Sequence, residues 1–142
     1  MTHQQILEKL PYSKPFLFVD EIIEISNEQV RGCFTFDRDL FFYKGHFTNN
    51  PVTPGVILIE TMAQIGVVCL GIYLLRNETV ATEIALTSAE IEFLKPVFPD
   101  EKVVVVSTKK YFRFGKLKCK VEMFNEQNEL VCGGYIAGML IN

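Results

Sequence analysis

The chain has 142 residues, 49% of them hydrophobic and 22% charged, with a formal net charge of -3. Those values fit one domain over 1–142 with a sizeable core, and they exclude the global basicity of a nucleic-acid binder. The four cysteines (Cys33, Cys69, Cys119 and Cys132) form no CxxC pair, so buried thiols are expected and no metal or redox centre. Residues 1–13 lack a basic stretch followed by an apolar run, so no signal peptide is read and a cytoplasmic location is expected.

Residues 2–9 predict a short amphipathic helix ending before Pro11, and 16–25 and 29–36 predict two strands joined at Ser26-Asn27-Glu28. Residues 37–53 form a long irregular segment, and loops of that length inside compact domains usually carry function. Thr53 then offers an N-cap hydroxyl and Pro54 suits the first helical position of a helix running to about Leu75. Residues 56–75 are nearly long enough to span a bilayer, but Glu60 and Gln64 lie within them and no Lys or Arg flanks their start. A central helix wrapped by protein is the expectation, with no membrane span. Strands are expected at 80–87, 89–94, 102–114, 116–125 and 129–141, with a hairpin turn at 125–128. Strands, one long apolar helix, then more strands predict an α+β fold, an antiparallel sheet curled around the helix.

The chemistry concentrates between Gly45 and Gln64. His46 is one of two histidines, and imidazole is a natural general base near neutral pH. Glu60 sits in the second turn of a helix otherwise too apolar for a carboxylate, where burial favours the neutral acid. Gly55 and Val56 open that helix, where free N–H groups can meet a carbonyl oxygen gaining negative charge. Base, acid and oxyanion donor are the parts that a β-elimination next to a thioester requires. Gln64 lies one turn after Glu60, either steadying the carboxylate or satisfying backbone in the core. Tyr43 either lines a tunnel or packs.

The run GHF-x3-PV-x-PGV-x3-E-x-MAQ resembles the signature of the 3-hydroxyacyl-[acyl carrier protein] dehydratases. Leu10-Pro11 with 15–20, and 93–100, are similar to two further segments of that family, so nearly the whole chain is covered. The resemblance implies a hot-dog fold and a homodimer in which His46 of one subunit meets Glu60 of the other, with assembly to trimers of dimers frequent. It also implies an acyl carrier protein partner and no cofactor. Glutamate at position 60 is similar to the branch that dehydrates without isomerising. The chain departs from the pattern at Thr48-Asn49, where Pro-Gly is usual, at Thr53, where Met is common, and at Tyr12-Ser13-Lys14, where His and Arg are frequent. These positions bear on the acyl tunnel, so acyl length and pathway (fatty acid, polyene or other specialised lipid) stay open. A hot-dog thioesterase and a non-catalytic carrier-binding subunit are the competing readings.

Lys116, Lys118 and Lys120 alternate with apolar residues, following Lys109, Lys110 and Arg113. This stripe is either a solvated outer face or a dock for an acidic carrier protein.

Overall fold

The computed structural model describes residues 1–79 and 82–141. Helix α1 (His3–Glu8) begins with a capping box: Thr2 Oγ1 accepts from Gln5 N–H, and the Gln5 side chain accepts from Thr2 N–H. Ile6 anchors it in the core. Strands β1 (Glu21–Ile25) and β2 (Gln29–Thr35) form the first antiparallel pair. The strand expected from position 16 starts five residues late. The Phe18 N–H and Phe16 carbonyl are taken by the side-chain amide of Gln64, 46 and 48 residues away, rather than by a neighbouring strand.

Helix α2 (Gly55–Leu74) is 20 residues long, with an α-helical start (Gly55–Ala63), a π-helical middle (Gln64–Cys69) and an α-helical end (Leu70–Leu74). Its most apolar window is 78% buried inside the protein, which accounts for its composition. The sequence predicts Thr53 as the N-cap and Pro54 as the first helical residue; instead Pro54 is the N-cap, without a side-chain hydrogen bond, and Gly55 is the first helical residue. The Thr53 hydroxyl instead pairs with Tyr43 Oη at 2.6 Å, and its N–H donates to Val97 O.

Strands β3 (Ile84–Phe93), β4 (Lys102–Arg113), β5 (Lys116–Phe124) and β6 (Leu130–Leu140) complete a six-stranded sheet in the order β1-β2-β4-β5-β6-β3. Every neighbouring pair is antiparallel. The two strands expected at 80–87 and 89–94 are one, β3; its register slips between Leu86 and Ser88, and such a bulge breaks the alternation that suggested two. Residues 80 and 81 of that expectation lie outside the described residues. Inward positions such as Val103, Val105, Leu117, Cys119, Val121 and Met123 are almost completely covered and meet Met62, Ile65, Val68 and Leu70 of α2 in one core. The sheet wraps a single long helix, the hot-dog arrangement.

The helix is seated closely. A Cβ at Gly66 would lie 2.9 Å from Ser107 Cβ, and Ser107 Oγ donates to Gly66 O at 2.8 Å. The missing side chain lets the π segment press onto β4, and Ser107 satisfies a carbonyl that the altered helical pitch leaves available.

Candidate active site

The loop before α2 folds back on itself to present His46. Phe47 and Asn50 exchange backbone hydrogen bonds at 2.9 Å, and Val52 N–H donates to His46 O at 3.0 Å. Asn49, at the tip, has φ 62. Asparagine is among the few residues that tolerate this left-handed backbone, so the chain keeps the turn where a glycine is usual. Val52 also accepts from the imidazole: His46 Nδ1 lies 2.8 Å from Val52 O. A carbonyl only accepts, so Nδ1 carries the hydrogen and the lone pair is on Nε2. The Phe47 ring stacks on the imidazole with centroids 3.9 Å apart. Tyr43, which the sequence leaves between tunnel and packing, is buried and bonded to Thr53; it packs.

Glu60 is partly buried in the second turn of α2, and Gln64 Nε2 donates to its Oε2 at 2.9 Å. Burial pushes the Glu60 carboxyl above its ordinary value, and the Gln64 hydrogen bond pulls partly back. Gln64 does both things the sequence leaves open, because the same amide accepts from Phe18 N–H and donates to Phe16 O. No hydrogen bond joins His46 to Glu60 among the described residues; each is oriented by its own partner.

Gly55 and Val56 start α2, and a groove of about 360 Å³ lined by Gly55, Thr53, Leu58, Phe93, Leu94 and Pro96 opens beside them. Phe93 is close: a Cβ on Gly55 would sit 3.1 Å from its ring. Val56 is 72% exposed on a helix that is otherwise buried or partly buried.

Three neighbours of the site are given no place beside His46 or Glu60 by the sequence: the Val52 carbonyl, the backbone of 16–18, and Tyr12. Burial first, and then the charge of Glu60, push the Tyr12 phenol above its usual range, so Tyr12 lies near the carboxylate. Its position in the opening motif, where histidine is frequent, was the available signal.

The basic stripe is divided. Lys116, Lys118 and Lys120 share the outer face with their cross-strand partners Arg113, Tyr111 and Tyr135, respectively. Lys110 and Lys118 lie over the Tyr135 ring at 5.9 and 5.6 Å, and Arg113 over Tyr111 at 4.4 Å. Lys109 does not join them. It pairs with the buried Cys119 on the inner face and forms an ion pair with Glu28 at 3.5 Å. Burial also pushes the Cys119 thiol up to about 11 and those of Cys69 and Cys132 to about 12, so none is a ready nucleophile.

Solved structures with this fold include the dehydratase heterocomplex ApeI:P from Xenorhabdus doucetiae (TM-score 0.80, 15% identity, 96% of this chain and 91% of that one). A hypothetical thioesterase with coenzyme A from Streptococcus pneumoniae is similar at TM-score 0.66 and 14% identity, over 86% of this chain and 85% of that one. At such identities the likeness concerns fold alone. Sequence relatives are nearer. A 3-hydroxyacyl-[acyl-carrier-protein] dehydratase FabZ of Caldicellulosiruptor bescii is 34% identical over 92% of this chain and 91% of the relative. Its namesake in Caldicellulosiruptor saccharolyticus is 35% identical over 91% of each. The FabA-like domain model matches residues 10–135, from the arm that Gln64 clamps to the strand that carries Tyr135. With the His46 loop and the Glu60 helix both inside that span, the chain belongs to the FabA-like family, alongside its 3-hydroxyacyl-[acyl-carrier-protein] dehydratases.

Proposed function

We propose that the protein is a hydro-lyase that dehydrates (3R)-hydroxyacyl-[acyl carrier protein] to the trans-2-enoyl thioester. The observation that carries the reading is the His46 Nδ1–Val52 O bond, which leaves Nε2 as a free base. The thioester oxygen is received at the start of α2 by the Gly55 N–H, where enolate charge develops next to the positive helix end. His46 Nε2 takes the C2 proton, the C3–O bond breaks, and the neutral carboxyl of Glu60 gives its proton to the departing oxygen, releasing water. Burial that keeps Glu60 protonated suits it to that role.

The site is assembled from two chains on this reading. Strand β3 is a sheet edge exposed along most of its length; Leu86 and Phe93 on it, Leu94 just after it, and Phe47 and Val56 in the loop-and-helix motif are exposed apolar residues. A free edge with apolar neighbours favours pairing with a second copy. That homodimer would set His46 of one subunit against the other's Glu60, and dimers could assemble further into trimers. The acidic carrier would be steered by Lys110, Arg113, Lys116, Lys118 and Lys120, with Lys109 apart from the dock. The enzyme would work in the cytoplasm.

Product analysis tests the reaction. Incubation with 3-hydroxyacyl carrier proteins of graded length and unsaturation is expected to give enoyl thioester and to rank the substrates. Release of free thiol without enoyl product would replace the reading with a thioesterase.

A further inference from the structure

Thr53 and Tyr43 are each 5% exposed, and their hydroxyls meet at 2.6 Å. Two hydroxyls carry two hydrogens between them, and the bond uses one. A phenol is a stronger acid than an aliphatic alcohol, so Tyr43 donates and Thr53 Oγ1 accepts. The Thr53 hydrogen is then the spare one, and it has no acceptor among the described residues. Buried polar groups are rarely left without a partner, so the hydroxyl is matched to an acceptor from outside the chain.

The groove beside α2 is where such an acceptor fits. Thr53 lines it together with Gly55, and Leu58, Phe93 and Leu94 give it apolar walls. The Gly55 N–H also has no acceptor among the described residues. The stretch that carries both donors is pinned at its start: Thr53 N–H donates to Val97 O at 2.9 Å, and Val52 O holds His46 Nδ1 at 2.8 Å. Residues 52, 53 and 55 thus supply the carbonyl that orients the base, a spare hydroxyl and a free helix N–H.

We propose that Thr53 is a second oxyanion donor, receiving the thioester oxygen together with the Gly55 N–H, and that Tyr43 is the positioning residue that aims its hydroxyl. This rests on the dehydration reading, which it deepens. When His46 Nε2 takes the C2 proton, the C2–H electron pair shifts toward the thioester and charge gathers on its oxygen. That charge returns to form the C2=C3 bond as the C3–O bond breaks. The C3–O electron pair leaves with the hydroxyl oxygen, which takes the Glu60 proton and departs as water. Thr53 keeps its own proton throughout and only donates a hydrogen bond. Donation from Tyr43 polarises the Thr53 O–H, because hydroxyls in a chain strengthen one another. The bond to the substrate oxygen tightens as charge appears, and an interaction stronger in the transition state than in the ground state accelerates the reaction. Position 53 is commonly methionine in the dehydratases that the motif resembles, so this donor is the chain's own addition.

A pair that only braced the loop would be equally served by two apolar side chains, and a double variant separates the roles. Tyr43→Phe with Thr53→Val removes both hydroxyls at nearly constant shape, so no buried group is stranded. Its urea midpoint is expected near that of wild type, while kcat falls about 10²-fold, the scale of one lost oxyanion donor, at nearly unchanged KM. Thr53→Ser keeps the donor and should retain most of the rate, and Tyr43→Phe alone should give an intermediate loss. A folded double variant with wild-type kcat overturns the proposal. So does a loss confined to KM, because the hydroxyl would then bind the substrate without responding to the developing charge. Should the double variant not fold, the carbonyl stretch of a bound, isotope-labelled enoyl thioester decides the matter. It is expected at lower frequency in wild type than in Tyr43→Phe, and equal frequencies overturn the proposal. A wild-type enzyme that yields no enoyl product from any hydroxyacyl substrate overturns the dehydration reading itself.

Discussion

Gly66→Ala tests whether the seating of α2 on the sheet is as close as the geometry states. The new methyl would lie 2.9 Å from Ser107 Cβ, 3.0 Å from Ser107 Oγ and 3.1 Å from Val121 Cγ1, all short of ordinary contact. Relief requires the π segment to lift from β4. Overpacking of this kind costs about 1–3 kcal/mol. Loss of the Ser107–Gly66 hydrogen bond adds roughly 1 kcal/mol, and the better helix propensity of alanine returns roughly 1 kcal/mol. The net expectation is destabilisation by about 2 kcal/mol, read as a lower urea midpoint with an unchanged slope. Ser107→Gly in the Gly66→Ala background removes the obstructing atoms and should recover part of the loss, giving a favourable coupling energy in the double-mutant cycle. A Gly66→Ala protein as stable as wild type, or more so, would refute the reasoning, because propensity alone would then govern the position.

Glu60→Gln should abolish dehydration yet stabilise the fold in a pH-dependent way. The raised native-state value means that the folded chain holds more protons than the unfolded chain above the ordinary carboxylate range. Wild-type stability therefore falls as pH rises through that window, and the variant escapes the loss. Thermal unfolding should show a gap that opens from about pH 4 upward, the ordinary carboxylate range; a gap that closes with rising pH contradicts it. At the loop tip, Asn49→Gly should be neutral or slightly stabilising, whereas Asn49→Val should cost at least about 1 kcal/mol by forcing a β-branched residue into left-handed backbone. Equal stabilities for the two variants in denaturant would count against the turn described. Reversing the outer-face charges in Lys118→Glu with Lys120→Glu should lower kcat/KM for a carrier-bound substrate several-fold at low salt and leave a small thioester analogue unaffected. Equal losses with both substrates would remove the docking role.

The helix, the hairpins and the candidate motif were legible because each is written locally. Apolar character over some 20 residues marks α2, and the His46-to-Glu60 spacing lies within one loop-and-helix unit. What escaped depends on contacts distant in sequence or on single-residue shifts of register. The strand expected from residue 16 was shortened because Gln64 captured the backbone of Phe16 and Phe18. Thr53 has the side chain of an N-cap, but Tyr43 claims its hydroxyl. One bulge fused two expected strands into β3, and another lies between Lys109 and Tyr111, so that these two, which strict alternation would put on one face, are paired with the inward Cys119 and the outward Lys118. The role of Gln64 was visible only as two alternatives, since nothing local shows that one amide can fill both.

The central claim is that His46 and Glu60 form one catalytic pair, and that the pair spans two chains. It is tested most directly by mixing two separately purified variants, His46→Ala and Glu60→Ala, under conditions that exchange subunits, and following enoyl thioester formation. Each variant alone should be nearly inactive, with losses of about 10²–10⁴. Half of the exchanged dimers would hold both variants and carry one intact site each, so the mixture should recover about a quarter of wild-type activity. A single variant that retains full activity, or an exchanged mixture that stays inactive, would contradict the account.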